Sequence, residues 1–262
     1  MNSFMYEYPT KVYFGKNAAA DHLKEAAAPY QNILITYGGG SVQRNGILDE
    51  IKGLLKDKNI MEFGGIPSNP TWSKVKEGAK AARDFQADLI FAIGGGSAID
   101  ASNIIAAQAW TEEDYWNVFV HEGRIPAGKP IALGAVVIAS GTGAEMNGGA
   151  VITNEEEQVK TGVFAKAPVF AFLDPDYTKT VPAIQVFSDA FDTWCHALEN
   201  YFGRAEDDSI SDDLSLAVMK NTIHHMKTLQ KDLYDETARA NLMWDSGFDR
   251  YCSRSAPWIW PG

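Results

Sequence analysis

Three groups of residues in this chain have the types and spacing to do chemistry. Gly38-Gly39-Gly40-Ser41 follows the strand-like run Asn32–Tyr37, and Gly94-Gly95-Gly96-Ser97 follows the apolar run Leu89–Ile93. A glycine-rich turn between a buried strand and a helix lets the backbone approach a phosphate. The free N–H groups of the helix start then point at it. One such turn is a common packing device; two in one strand–helix pattern are far more specific. The third group is Asp192 and His196, at i, i+4 spacing. On a helix they share a face, where a carboxylate and an imidazole can chelate one divalent ion. Such a pair is also an ordinary surface interaction, and without context that is the commoner case.

The residues around the turns sharpen the reading. Ser97 is placed to cap its helix and to offer a hydroxyl to a phosphate. Asp100, one turn further in, is placed for the ribose or nicotinamide end of a dinucleotide. In the first turn the important point is an absence. An acidic residue at such a strand end commonly bonds a ribose 2′-hydroxyl and repels a 2′-phosphate. Gly38, Gly39 and Ser41 carry no such charge, and Arg44 is a nearby cation. This favours NADP(H) over NAD(H). Ser140–Glu145 is a third small-residue turn, with Thr142 and Asn147 as side-chain donors. Lys160 reads either as a charge partner for phosphate or ribose or as a solvated strand lysine. Cys195 is a conceivable soft ligand but more often a packing residue. His224 and His225 point in diverging helical directions, and His121 falls in a loop.

The elements that must position these residues follow from periodicity. Strands are expected at Lys11–Phe14, Asn32–Tyr37, Met61–Phe63, Leu89–Ile93 and Ile131–Ile138. Helices are expected at Ala18–Ala28, Ile47–Leu55, Trp72–Phe85 and Ile99–Ala109. This alternation argues for an α/β fold with a parallel sheet covered on both faces. Residues 150–174 read as strands and turns. Beyond Val181-Pro182 the pattern is helical: Phe187–Tyr201, Asp212–Gln230 and Tyr234–Trp244. A boundary near 183 divides the chain into 1–183 and 184–262. The stretch 246–262 shows no helical periodicity and sets Trp258 and Trp260 beside prolines. It reads as a chain cut short or run into unrelated sequence.

Composition narrows the partners. The chain has 262 residues and a net charge of −11, with no basic block. So acidic a surface repels phosphate backbones and anionic lipids, which argues against nucleic acid and membrane surfaces. An anionic cofactor must then be held by local devices. Two cysteines, Cys195 and Cys252, make no disulfide framework, and a reducing compartment fits. The first eight residues lack the features of a signal peptide.

With the glycine turns, Gly141-Thr142-Gly143-Ala144-Glu145 and Asp192…His196 in this order, the chain resembles the iron-containing (group III) alcohol dehydrogenases. It is most similar to the NADPH-dependent butanol dehydrogenase and aldehyde reductase subgroup. Further support comes from Phe14-Gly15-Lys16, Phe63-Gly64-Gly65-Ile66, Gly148-Gly149-Ala150-Val151-Ile152 and Leu173-Asp174-Pro175. The resemblance implies a dehydroquinate-synthase-like fold, with a nucleotide-binding α/β domain followed by an incomplete all-helical domain. It implies a homodimer or higher self-association, and the reducing compartment that the cysteines fit is expected to be the cytoplasm. Gly38, Gly39 and Ser41 match positions that hold the adenosine phosphate. Asn69, Gly95, Gly96, Ser97, Asp100, Thr142, Asn147 and Lys160 match cofactor contacts. Asp192 and His196 match two of four ligands to Fe²⁺ or Zn²⁺. No histidine follows His225, so the other two ligands are missing and the metal is expected to bind weakly or not at all. Ile138 stands where the family commonly has threonine. The implied reaction is hydride transfer between nicotinamide and a small alcohol or aldehyde, with the metal as Lewis acid. The rival expectation is a cofactor-binding remnant without turnover. Helices from 185 to 244 are expected to expose Leu198, Leu214, Val218 and Met226 and so to self-associate.

Overall fold

The computed structural model describes residues 8–203 and 210–252. Eight strands are β1 (Lys11–Phe14), β2 (Asn32–Tyr37), β3 (Asn59–Phe63), β4 (Leu89–Gly94), β5 (Ala132–Val137), β6 (Gly149–Asn154), β7 (Val159–Phe164) and β8 (Phe170–Leu173). Six of them form one sheet in the order β1-β8-β5-β4-β2-β3. Its pairings are all parallel. Strands β6 and β7 form a separate antiparallel hairpin.

The sheet is parallel because its central strands β2, β4, β5 and β8 are buried on both sides, while polar residues are confined mostly to the edge strands β1 and β3. Ile33 and Ile35 of β2 pack with Leu23, Leu48 and Ile51 on one face. Leu34, between them, packs with Val75, Ala79, Ile104 and Ile105 on the other. A strand with no polar face needs helices over both, and right-handed crossovers supply them. The covering helices are α1 (Ala18–Ala26), α3 (Ile47–Leu54), α4 (Trp72–Asp84) and α5 (Gly96–Trp110), with a short α2 (Ser41–Arg44) after β2.

Three longer helices follow: α6 (Ala183–Phe202), α7 (Ile210–Leu229) and α8 (Glu236–Cys252). None of the described helices is long and apolar enough to cross a membrane. Helix α6 starts at Ala183, a turn before the periodicity suggested, because Pro182 serves as its N-cap with an extended ψ of 144°. Helix α8 runs through Ser246 to Cys252, against the expectation of irregular chain there. The reason is close packing of small residues. Ser246 is 1% exposed. A Cβ on Gly143 would lie 2.4 Å from the Ser246 carbonyl oxygen, and one on Gly247 would lie 2.2 Å from the Met146 sulfur. Small side chains let α8 lie flat on the turn after β5, and they carry no hydrophobic period. Trp258 and Trp260 lie outside the described residues.

The expected bare face of the helices is also corrected. Val218 is buried, with Leu198 and Leu214 packed against its cluster, and Met226 packs against Ala190, Leu229, Ala238 and Leu242. The exposed apolar residues are different ones, including Ile184, Phe191, Phe202, Ile210 and Leu216. The three helices close a small core among themselves and turn another stripe outward. His121 ends a π-helical turn, Asn117–His121, rather than lying in a loop. Its Nε2 is 3.1 Å from Glu157 Oε1.

Candidate functional site

Strand order decides where a ligand can sit. The chain passes from β2 to the edge strand β3, returns to the other side of β2 as β4, and continues outward to β5. That reversal opens a crevice beyond the carboxyl ends of β2 and β4, the usual ligand position in open α/β sheets. Both glycine turns leave the sheet there. The resulting cleft encloses about 840 Å³, part of it open to solvent. It is lined by Gly38, Gly39 and Ser41 after β2, Ile66, Pro67 and Ser68 after β3, and Gly95, Gly96 and Ser97 after β4. Ile138, Gly141 and Thr142 after β5 complete the floor, and Gln185 and Asp189 of α6 form the far wall.

Seven of the sequence-derived residues therefore share one wall: Gly38, Gly39, Ser41, Gly95, Gly96, Ser97 and Thr142. Gly96 has to be glycine. A Cβ there would lie 2.7 Å from Thr142 Oγ1, so the side chain would push the third turn off the start of α5. Ser97 does not cap α5. The cap position is Gly95, and the Ser97 hydroxyl donates to the Ser68 carbonyl at 2.5 Å. It thereby ties the loop after β3 to the mouth of the cleft.

The other four contribute to the rim and its bracing. Lys160 Nζ donates to Asn69 Oδ1 at 2.8 Å, beside Ser68. Asp100 Oδ2 accepts the Val151 N–H at 2.9 Å, which fastens α5 to β6. Asn147 donates from Nδ2 to the Gly143 carbonyl and accepts the Gly149 N–H, each at 2.7 Å, and so fixes the third turn.

Helix α6 is pinned to that turn by Thr193, whose hydroxyl donates to the Gly141 carbonyl at 2.9 Å. This contact brings Asp189 to the cleft wall. Burial pushes its carboxyl up to about 6, although Gln185 Nε2 donates to Oδ1 at 2.5 Å. Asp189 was missed in the sequence, yet its spacing of three and seven residues from Asp192 and His196 puts all three on one helical face.

Asp192 Oδ2 lies 3.7 Å from His196 Nε2, and Glu199 Oε2 lies 3.7 Å from His196 Nδ1. Among the described residues no group of three or more His, Cys, Asp or Glu side chains is arranged to hold a metal ion. Asp192 and His196 offer two donors, fewer than the three protein ligands of a catalytic zinc site. Cys195 is a free thiol at intermediate exposure. His224 and His225 stand edge to face, 4.9 Å between ring centroids, with His225 buried and His224 exposed.

Comparison with known proteins fits this geometry. Residues 9–175 match the family of iron-containing alcohol dehydrogenases. The chain belongs to that family. It is 41% identical over 251 residues to the NADH-dependent butanol dehydrogenase A of Clostridium acetobutylicum, covering 94% of this chain and 64% of that protein. It is 36% identical over 248 residues to the NADPH-dependent aldehyde reductase YqhD of Escherichia coli, covering 93% and 64%. The crystal structure of an NADH-dependent butanol dehydrogenase A from Thermotoga maritima superimposes with a TM-score of 0.89 at 32% identity, covering 95% of this chain and 63% of that one. The chain thus spans just under two thirds of the length of these relatives. The family carries the dehydroquinate-synthase-like α/β-then-helical architecture seen in the fold.

Proposed function

We propose that this chain binds NADP(H) in the cleft and serves an alcohol dehydrogenase or aldehyde reductase, with the cytoplasm as its compartment. The observation that carries the reading is the convergence of three small-residue turns at the switch point of the sheet. In this reading Gly38, Gly39 and Ser41 receive the adenosine phosphate, and Gly95, Gly96 and Ser97 receive the pyrophosphate on the first turn of α5. Thr142 supplies a hydroxyl deeper in the cleft. Lys160 keeps donors to spare, since an ammonium has three protons and Asn69 takes one. Asn69, Asp100 and Asn147 hold the rim in shape through the bonds described above and contact the cofactor from there. The nicotinamide, when bound, supplies or accepts the hydride. The chain's own part is to orient it beneath α6, where Asp189 and Gln185 overhang the cleft. The relatives divide in their named cofactor, NADH for one and NADPH for another. For this chain the uncharged first turn favours NADP(H).

Fe²⁺ or Zn²⁺ would find Asp192 and His196, and two donors do not fit a held metal. That observation favours a second reading, cofactor binding without turnover. One experiment separates the two. NADPH is titrated by fluorescence, then aldehyde-dependent NADPH oxidation is followed with and without added Fe²⁺ or Zn²⁺. Metal-dependent oxidation supports the enzyme, binding without oxidation supports the second reading, and no binding at all rejects both.

A further inference from the structure

The first glycine turn lacks an acid, but its neighbour β3 does not. Glu62 stands beside it, paired with Ile35 of β2. Left free, that carboxylate would compete with any phosphate for the nearest cation. It is not free. Lys52 Nζ lies 2.5 Å from Glu62 Oε1, and the Tyr37 hydroxyl donates to Glu62 Oε2 at 3.0 Å. Gln43 Nε2 in turn donates to the Tyr37 oxygen at 3.0 Å, so α2, the end of β2 and β3 are joined in one chain of bonds. The Tyr37 ring packs against Gly64, where a Cβ would lie 2.5 Å from the ring. Gly64 thus allows the arrangement that satisfies Glu62.

Arg44 is the cation this leaves over. It is exposed, and its Nη1 reaches the Gly39 carbonyl at 3.5 Å. A Cβ on Gly40, at φ +91°, would lie 3.4 Å from the same nitrogen. The guanidinium therefore lies along the turn itself. Three other arginines are engaged elsewhere: Arg124 with Glu113 and Glu122, Arg83 with the Gln108 carbonyl, and Arg239 with Thr178. A long contact to one carbonyl leaves most of the five guanidinium donors of Arg44 available. A planar, permanently charged fork suits a phosphate monoester better than a neutral diol.

We infer that Arg44 is the specificity-determining cation for a 2′-phosphate on the adenosine ribose, and that the Lys52–Glu62–Tyr37 linkage keeps it available by holding the nearby carboxylate. The inference rests on the proposed NADP(H) reading and names the group that would enforce it. Arg44 reads the 2′ position only, so it distinguishes two fragments that differ by that phosphate alone.

The test uses the full chain with 2′,5′-ADP and 5′-AMP in calorimetric titrations, for the unmodified protein, Arg44→Ala and Arg44→Lys. The expected result is tighter binding of 2′,5′-ADP than of 5′-AMP by the unmodified protein. Arg44→Ala should then lose about tenfold or more on 2′,5′-ADP, the order of a charge-assisted hydrogen bond. It should lose less than about twofold on 5′-AMP, which also controls for folding, and Arg44→Lys should recover part of the loss. Equal binding of the two fragments by the unmodified protein would defeat the NADP(H) reading itself. A clear preference for 2′,5′-ADP that survives Arg44→Ala would leave that reading standing and overturn the role of Arg44. So would a loss of equal size on both fragments.

Discussion

Replacing Gly39 by Asp restores the acid that the first turn lacks, and the structure makes it a clean perturbation. No atom lies within 4 Å of an ideal Cβ on Gly39, and the residue is outside the left-handed region. The side chain therefore enters open cleft without displacing anything. Two unit charges 4 Å apart interact by about 1 kcal/mol in water and about 4 kcal/mol at an effective dielectric constant of about 20. The turn lines a cleft open to solvent, so a value of about 2 kcal/mol is taken for repulsion of a 2′-phosphate. That is roughly a 30-fold loss in NADPH affinity. Arg44, already near the Gly39 carbonyl, would also be drawn to the new carboxylate, which works in the same direction. For NADH the carboxylate accepts the ribose hydroxyls, a gain of about 1.5 kcal/mol or about tenfold. Fluorescence titration of both cofactors against both proteins reads the two effects. Affinities that fall together for NADPH and NADH would show that the turn does not face the ribose. Equal affinities in the unmodified protein would remove the premise.

Other expectations follow from the same geometry. Gly143→Ala combines a φ of +59° with a Cβ 2.4 Å from the Ser246 carbonyl. A strained left-handed residue alone costs about 1–3 kcal/mol, so thermal melting should fall by several degrees, and an unchanged midpoint would mean α8 does not rest on this turn. Asp245 is 5% exposed, and burial pushes its carboxyl up to about 6 despite bonds from Asn221 and Thr222. A folded pKa above the unfolded value near 3.9 means the folded state holds the extra proton between about pH 4 and pH 6. Stability should therefore decline as pH rises through that window, by at most about 3 kcal/mol, and Asp245→Asn should flatten the decline in urea titrations. A slope identical in the variant would assign it to other groups. We expect self-association through the exposed stripe that includes Ile184, Phe191, Phe202 and Leu216, since apolar burial contributes about 25 cal/mol per Å². Sedimentation at micromolar concentration checks it, and a monomer that binds no hydrophobic dye would argue against it.

Local patterning determined much of this protein. Leu89–Ile93 is apolar without a break and Asn32–Tyr37 is interrupted only by Thr36 after its first residue, so both had to be strands covered on both faces, and the glycines after them had to be strand–helix turns. Asp192 and His196 at one-turn spacing had to share a helical face. These are short-range consequences of backbone geometry and side-chain polarity, and they hold whatever the rest of the chain does. Other features required the tertiary structure because they depend on which remote surfaces meet. The strand order brings the turns after β2, β4 and β5 to one cleft. The Thr193 bond to Gly141 swings Asp189 onto its wall. Lys52 and Tyr37 engage Glu62, which leaves Arg44 unpaired with any described carboxylate. Ser246 and Gly247 are legible as small residues, but only the turn they rest on explains why α8 continues through them. Close approach between backbones needs small side chains on both partners, and a single sequence displays each partner without its mate.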